Sequence, residues 1–170
     1  MTESALIVGA GAGLSASLAR LFASEGMKVA VAARNADKLA PLAEEIGGPA
    51  FACDVVDPAA VDRLFEDAAG AIGVPDVVVF NPSNRARGPV AELDRDAVRD
   101  ALMISCYGGF LVGQAAARQM LERGSGSIQF TGASASVKGY AQSAPFAMGK
   151  FGLRGLAQSM ARELAPKNIH

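Results

Sequence analysis

Short apolar runs alternate with longer stretches in which apolar residues recur every three or four positions, and the alternation holds along the whole chain. The runs at residues 5–8, 28–33, 51–56, 76–80 and 127–131 read as strands. The stretches at residues 14–25, 37–46, 58–72, 93–123 and 144–164 read as helices. The run Val77-Val78-Val79-Phe80 is apolar at every position rather than at every second one, which predicts a strand covered on both faces. Strands alternating with helices in this way predict a parallel sheet with helices on both sides, an α/β doubly wound fold of the Rossmann type.

The first strand-to-helix junction carries the strongest local signal. Gly9, Gly11 and Gly13 fall where a parallel strand turns sharply into a helix. Glycine tolerates positive φ and, having no Cβ, lets a ligand come close to the backbone. The helix that starts at Leu14 would aim its free N–H groups and the positive end of its dipole at an anion such as a diphosphate. Leu14 stands where a G-x-G-x-x-G turn has its last glycine, so the match to that fingerprint is incomplete. Right-handed crossovers from this turn predict the strand order 3-2-1-4-5, with a cofactor lying across the carboxyl ends of the strands.

The second strand ends in Ala33-Arg34. An acid there suits the ribose hydroxyl of NAD and a base suits the 2′-phosphate of NADP, so Arg34 favours NADP(H) over NAD(H). Asp57-Pro58 is an N-cap and first-turn pair opening the third helix. In the helix at 93–123, Ala101, Ile104, Ser105, Gly108, Gly109, Val112, Ala115, Ala116 and Gln119 recur at helical spacing. Their small size allows a second helix to approach closely.

Charge and cysteine content narrow the chemistry. The 170 residues carry a formal net charge of −1, with both signs scattered, which is unlike the basic footprint of a nucleic-acid binder. Cys53 and Cys106 have no metal-ligand spacing, and the single histidine is the last residue, His170, so neither a histidine triad nor a metal centre is expected. No apolar stretch reaches the ~20 residues of a membrane helix. The expectation is a cytoplasmic protein of one domain, residues 1–170, acting on a small molecule.

The order of these features resembles the short-chain dehydrogenase/reductase family over the full chain. Gly9 and Gly13 match its G-x-x-x-G-x-G turn, with Ser15 in place of the final glycine. Asp54-Val55 is similar to the family's Asp-Val pair beside the adenine ring, although turn chemistry alone also explains Asp54. Asn81 keeps one asparagine of the Asn-Asn-Ala-Gly turn, where it would tie adjacent strand ends to one another by side-chain hydrogen bonds to backbone. Ser105 falls where the family commonly has an asparagine that holds a water of the proton relay. The Tyr-x-x-x-Lys pair corresponds to Phe146-Ala147-Met148-Gly149-Lys150, with phenylalanine at the tyrosine position. Ser134 and Ser136 are the candidates for the family's serine; the family spacing places it at Ala133 or Ser134, of which only Ser134 has a hydroxyl.

The resemblance implies hydride transfer between NADP(H) and a carbonyl or alcohol, with Ser134, Lys150 and Ser105 in the catalytic cluster. The cofactor would lie against Gly9, Gly11, Gly13, Leu14, Ser15, Arg34, Asp54, Val55, Asn81 and Lys150. Phe146 also admits an alternative, a relative that binds NADP(H) without catalysis, as a sensor or assembly subunit. The small-residue helix faces resemble those through which family members form homodimers or homotetramers. A sixth strand is expected to begin near Asn168-Ile169-His170, so the fold is expected to be truncated before it.

Overall fold

A computed structural model describes residues 2–170. Five strands, β1 (Ser4–Val8), β2 (Lys28–Ala33), β3 (Ala50–Ala52), β4 (Val77–Phe80) and β5 (Ser127–Phe130), form one parallel sheet in the order β3-β2-β1-β4-β5. This is the order expected from the sequence. Helix α1 (Leu14–Ser24) follows β1. A 3-10 turn (Ala36–Leu39) leads into α2 (Ala40–Ile46), and α3 (Pro58–Ile72) follows β3. Helix α4 (Arg95–Leu102) passes through a π turn (Met103–Tyr107) into α5 (Gly108–Arg123), and α6 (Ala144–Leu164) follows β5.

Strand side chains alternate between two cores, as the pleat requires. Leu6, Val8, Val78 and Phe80 point to one face, where Leu64 and Phe65 of α3, Val112 and Ala116 of α5 and Leu153 of α6 cover them. Ile7, Val29, Val31 and Val79 point to the other, beneath Ala16 and Ala19 of α1 and Leu42 of α2. Both faces of β1 and β4 are therefore dry, which accounts for their unbroken apolar runs. The glycines of α5 allow close approach on more than one side: an added Cβ on Gly108 would lie 2.8 Å from the Val55 side chain in the loop after β3, while one on Gly109 would meet Leu153 of α6 and Phe80 of β4, and one on Gly113 would lie 3.1 Å from Met160 of α6.

Some boundaries differ from the sequence expectation, two of them through side-chain bonds to the backbone. β3 ends at Ala52 rather than at Val56, because the Asp54 carboxylate accepts the Val56 N–H at 3.2 Å and turns the chain toward the Asp57 cap of α3. The stretch at 93–123 starts at Arg95, capped by Asp94 through the Ala97 N–H at 2.8 Å, and is broken by the π turn. The loop after β5 contains a 3-10 turn, Ser134–Ser136. Ile169 makes a parallel bridge to Gly126 at the outer edge of β5, where the sixth strand was expected to begin.

The amino ends of the strands are tied by polar contacts. The Asp76 carboxylate accepts the Ser4 N–H at 2.8 Å and pairs with Arg123 at 3.1 Å. Arg123 also donates to the carbonyls of Val74 and Ser125, each at 2.8 Å. The segments entering β1, β4 and β5 are thus held at one end of the sheet, opposite the glycine turn. Among the described residues, no helix is long and apolar enough to cross a membrane.

Candidate functional site

The glycine turn sits at the carboxyl end of β1. Gly9 has φ +80°, and its N–H and that of Ala10 both donate to the Ala32 carbonyl at 2.9 Å, which folds the chain back over β2. An added Cβ on Gly9 would lie 2.6 Å from Pro82, so close packing against the end of β4 also requires glycine here. Ser15 is buried behind the turn; its hydroxyl donates to the Gly9 carbonyl at 3.2 Å and accepts from Asn81 Nδ2 at 2.8 Å. Asn81 therefore ties β4 to the turn through the Ser15 side chain, whereas a side-chain bond to backbone was expected. The hydroxyl of Ser15 is what a glycine could not supply.

The start of α1 is open. No side chain caps it and no acid lies in its first turn, while Gly11, Gly13 and Leu14 are exposed. A cleft of about 490 Å3 runs past Gly9, Arg34, Asp54, Val55, Asn81 and Asn84. A second, of about 600 Å3, shares Arg34 and Ala10 and adds Gly11 and Lys38. The carboxyl ends of β1, β2 and β4 thus open on one trough that brings together Gly9, Gly11, Arg34, Asp54, Val55 and Asn81, whereas Gly13, Leu14 and the buried Ser15 line neither cleft. Lys38 was missed; its spacing of four from Arg34 was the available signal.

A second cluster lies where α6 meets the loop after β5. Lys150 is only 3% exposed, and its Nζ donates to the Thr131 carbonyl at 2.6 Å. One turn earlier on α6, the ring of Phe146 has the Arg85 guanidinium 4.1 Å from its centroid and Lys150 Nζ at 6.0 Å. Ser105, fully buried on the π turn, accepts the Asn84 N–H at 3.1 Å. Close contact between α6 and the π turn depends on Gly149, whose added Cβ would come within 2.9 Å of Ser105 Cβ.

Ser134 is exposed at the start of its turn, and the cleft of about 320 Å3 beside Lys150 is lined instead by Ala133 and Ser136. The Ser136 hydroxyl is buried and accepts the Ala133 N–H at 3.1 Å. Cys53 is buried, and desolvation with neighbouring Asp54 and Asp57 pushes its thiol up to about 11, so it remains protonated and inert at neutral pH. Among the described residues, no group of three or more His, Cys, Asp or Glu could hold a metal ion.

Burial, and next the positive charge of Arg85, hold the Lys150 ammonium below its ordinary value of 10.5. Between its lowered folded value and 10.5 the unfolded chain binds more protons than the folded one, so folding stability rises with pH in that window. Lys150→Met lacks this dependence. The parent is therefore expected to gain stability relative to Lys150→Met as pH rises from 7 toward 10, read as the difference in Tm between the two proteins; a constant difference would mean that the amine is as well solvated as in the unfolded chain.

Residues 3–170 match the family model described as short chain dehydrogenase. D-threitol dehydrogenase of Mycolicibacterium smegmatis is 31% identical over 170 residues, covering 97% of this chain and 65% of that protein, so the chain spans just under two thirds of this relative. A short-chain dehydrogenase structure from Rhodopseudomonas palustris is 40% identical with TM-score 0.92, covering 99% of this chain and 81% of that one. Two further structures, each 28% identical with TM-score 0.95 and covering 99% of this chain and 67% of theirs, are an actinorhodin polyketide ketoreductase with NADPH and a xylitol dehydrogenase bound to NAD+. With the glycine turn, the five-stranded order and a family match from residue 3 to residue 170, the chain belongs to the short-chain dehydrogenase family of oxidoreductases.

Proposed function

We propose that this protein binds NADP(H) along the trough and transfers hydride between the cofactor and a carbonyl or alcohol substrate. The observation that carries the reading is the pairing of an open α1 start with Arg34 on the rim common to both clefts. The residues fit the cofactor: the uncapped helix end and the Cβ-free wall at Gly11 and Gly13, where an added Cβ would meet only open space, suit a diphosphate. Arg34 and Lys38 suit a 2′-phosphate, which two cations satisfy better than a neutral ribose. Asp54 and Val55 would flank the adenine, and Asn81 and Lys150 the nicotinamide end. NADPH, when bound, supplies the hydride.

The chain's own residues would orient and shield. Thr131 O fixes the Lys150 ammonium, whose remaining N–H donors are free for ribose hydroxyls. The Ser105 hydroxyl holds the loop beginning at Asn84. Phe146 has no proton to give, so the oxygen of the reduced substrate would take its proton from water. We further infer self-association through the exposed faces of α5 and α6, which carry Phe110, Leu121 and Phe151; a molecular mass in solution of two or four chains is the expected result.

NADPH oxidation by the full-length protein with a carbonyl panel, followed by nicotinamide absorbance, tests the reading. Tight NADPH binding without turnover would leave a cofactor-binding, non-catalytic protein. Arg34→Asp is expected to weaken NADPH binding about tenfold to a hundredfold, as loss of a charge-assisted hydrogen bond does, while leaving NADH binding equal or tighter. Fluorescence titration with both cofactors reads the change; indifference to the substitution would return Arg34 to the solvated surface.

A further inference from the structure

Beside Phe146 lies a cation that the reading above does not use. The Arg85 side chain makes no salt bridge with any carboxylate of the described residues and no hydrogen bond to them. Its one close partner is the face of Phe146, which carries no charge and no acceptor atom. A guanidinium has five N–H donors, and here all of them are open to solvent or to a ligand.

Its backbone, by contrast, is held at three points. The Asn84 N–H donates to buried Ser105 Oγ at 3.1 Å, the Arg85 N–H donates to Asn84 Oδ1 at 2.8 Å, and the Gly88 N–H donates to the Gln142 carbonyl at 3.3 Å. The last bond joins the Arg85 loop to the segment before α6, where Gln142 takes a left-handed φ of +58°. Asn84 itself lines the 490 Å3 cleft. A loop fixed in this way presents its charged side chain at small cost in ordering entropy. The neighbouring cation, Lys150, is deeply buried with one donor on Thr131 and the others assigned above to the ribose, so Arg85, which is exposed, is the cation of the two left without an assigned partner.

We propose that Arg85, backed by Phe146, is a specificity-determining residue that binds the carboxylate of the substrate, so that the carbonyl compound taken by this protein is an oxo acid. A carboxylate matches the fork of a guanidinium in a bidentate pair, and it brings to the site the negative charge that the two cations lack. Phe146 then has a positive role: a phenyl face holds the guanidinium over the site without competing for its N–H donors. This inference rests on the oxidoreductase reading, and its test separates the two.

The test is binding, with the full-length protein and NADP+, of four probes and their methyl esters: pyruvate, acetoacetate, benzoylformate and 2-oxoglutarate. Calorimetric titration is expected to give at least one acid bound about tenfold or more tightly than its ester. Arg85→Gln should abolish that preference, and Arg85→Lys, which keeps the charge but not the fork, should keep part of it. NADPH affinity should be unchanged in both variants and Tm should stay within a few degrees of the parent, since Arg85 is exposed and meets only the Phe146 face of the small cluster formed with Ala135 and Ala147. Esters bound as well as acids, a preference that survives Arg85→Gln, or no acid bound at millimolar concentration would each overturn the proposal. Failure to bind NADPH at all would instead overturn the cofactor reading, with acid binding then measured on the protein alone.

Discussion

Phe146→Tyr in the full-length protein is expected to raise carbonyl reduction by about a hundredfold or more, the usual contribution of a placed general acid. The ring is almost fully buried on the first turns of α6, with one cation 4.1 Å from its centroid and another at 6.0 Å. A phenol in the same place would sit in the field of both. That field favours phenolate, so its pKa would fall from about 10 toward the pH at which the reaction runs, and proton donation would become easier. Steady-state rates with NADPH and the best carbonyl of a panel measure the gain. An unchanged rate would mean that the substrate oxygen does not come within reach of the ring edge.

Gly9→Ala is expected to lower folding stability by roughly 2–5 kcal/mol, the sum of backbone strain and overpacking. At φ +80° an alanine is strained whatever the space around it, and here the new methyl would also meet Pro82 at 2.6 Å. The displaced end of β4 includes Asn81, so the Asn81–Ser15–Gly9 chain of hydrogen bonds should loosen as well. Urea unfolding reads the stability and a cofactor titration reads the turn; NADPH affinity should fall together with the midpoint. Full stability in the variant would show that the turn relaxes without penalty.

The sheet order was legible in the sequence because every strand that pairs centrally is an unbroken apolar run and every helix between strands has a single apolar stripe. The placement of Arg34 at the end of β2 and of the glycines between β1 and α1 was legible, since each lies next to an element end that the pattern had already fixed. The end of β3 was not, because Asp54 competes with the ladder through its own side chain, a preference that hydrophobicity does not register. The π turn was also hidden: Ser105 fits the helical stripe, and only its bond to Asn84 reveals the extra residue that turns it inward. Arg85 carried no signal, since its partner, Phe146, lies sixty-one positions away along the chain. Of the two serine candidates, the 3-10 turn buries Ser136 and leaves Ser134 outside, an orientation that spacing along the chain does not reveal.

The knot of Asp76, Ser4 and Arg123 pins β1 to β4 where the strands begin, and the chain of bonds from Asn81 through Ser15 to Gly9 pins the same pair where they end. Along a five-residue strand, about 16 Å long, a splay of only about 4° between neighbours would move their tips by about 1 Å. Displacement of that size at a reacting centre is worth about a hundredfold in rate. Two strands fastened at both ends resist such a splay, so the floor between β1 and β4 keeps its spacing when the cleft above it fills.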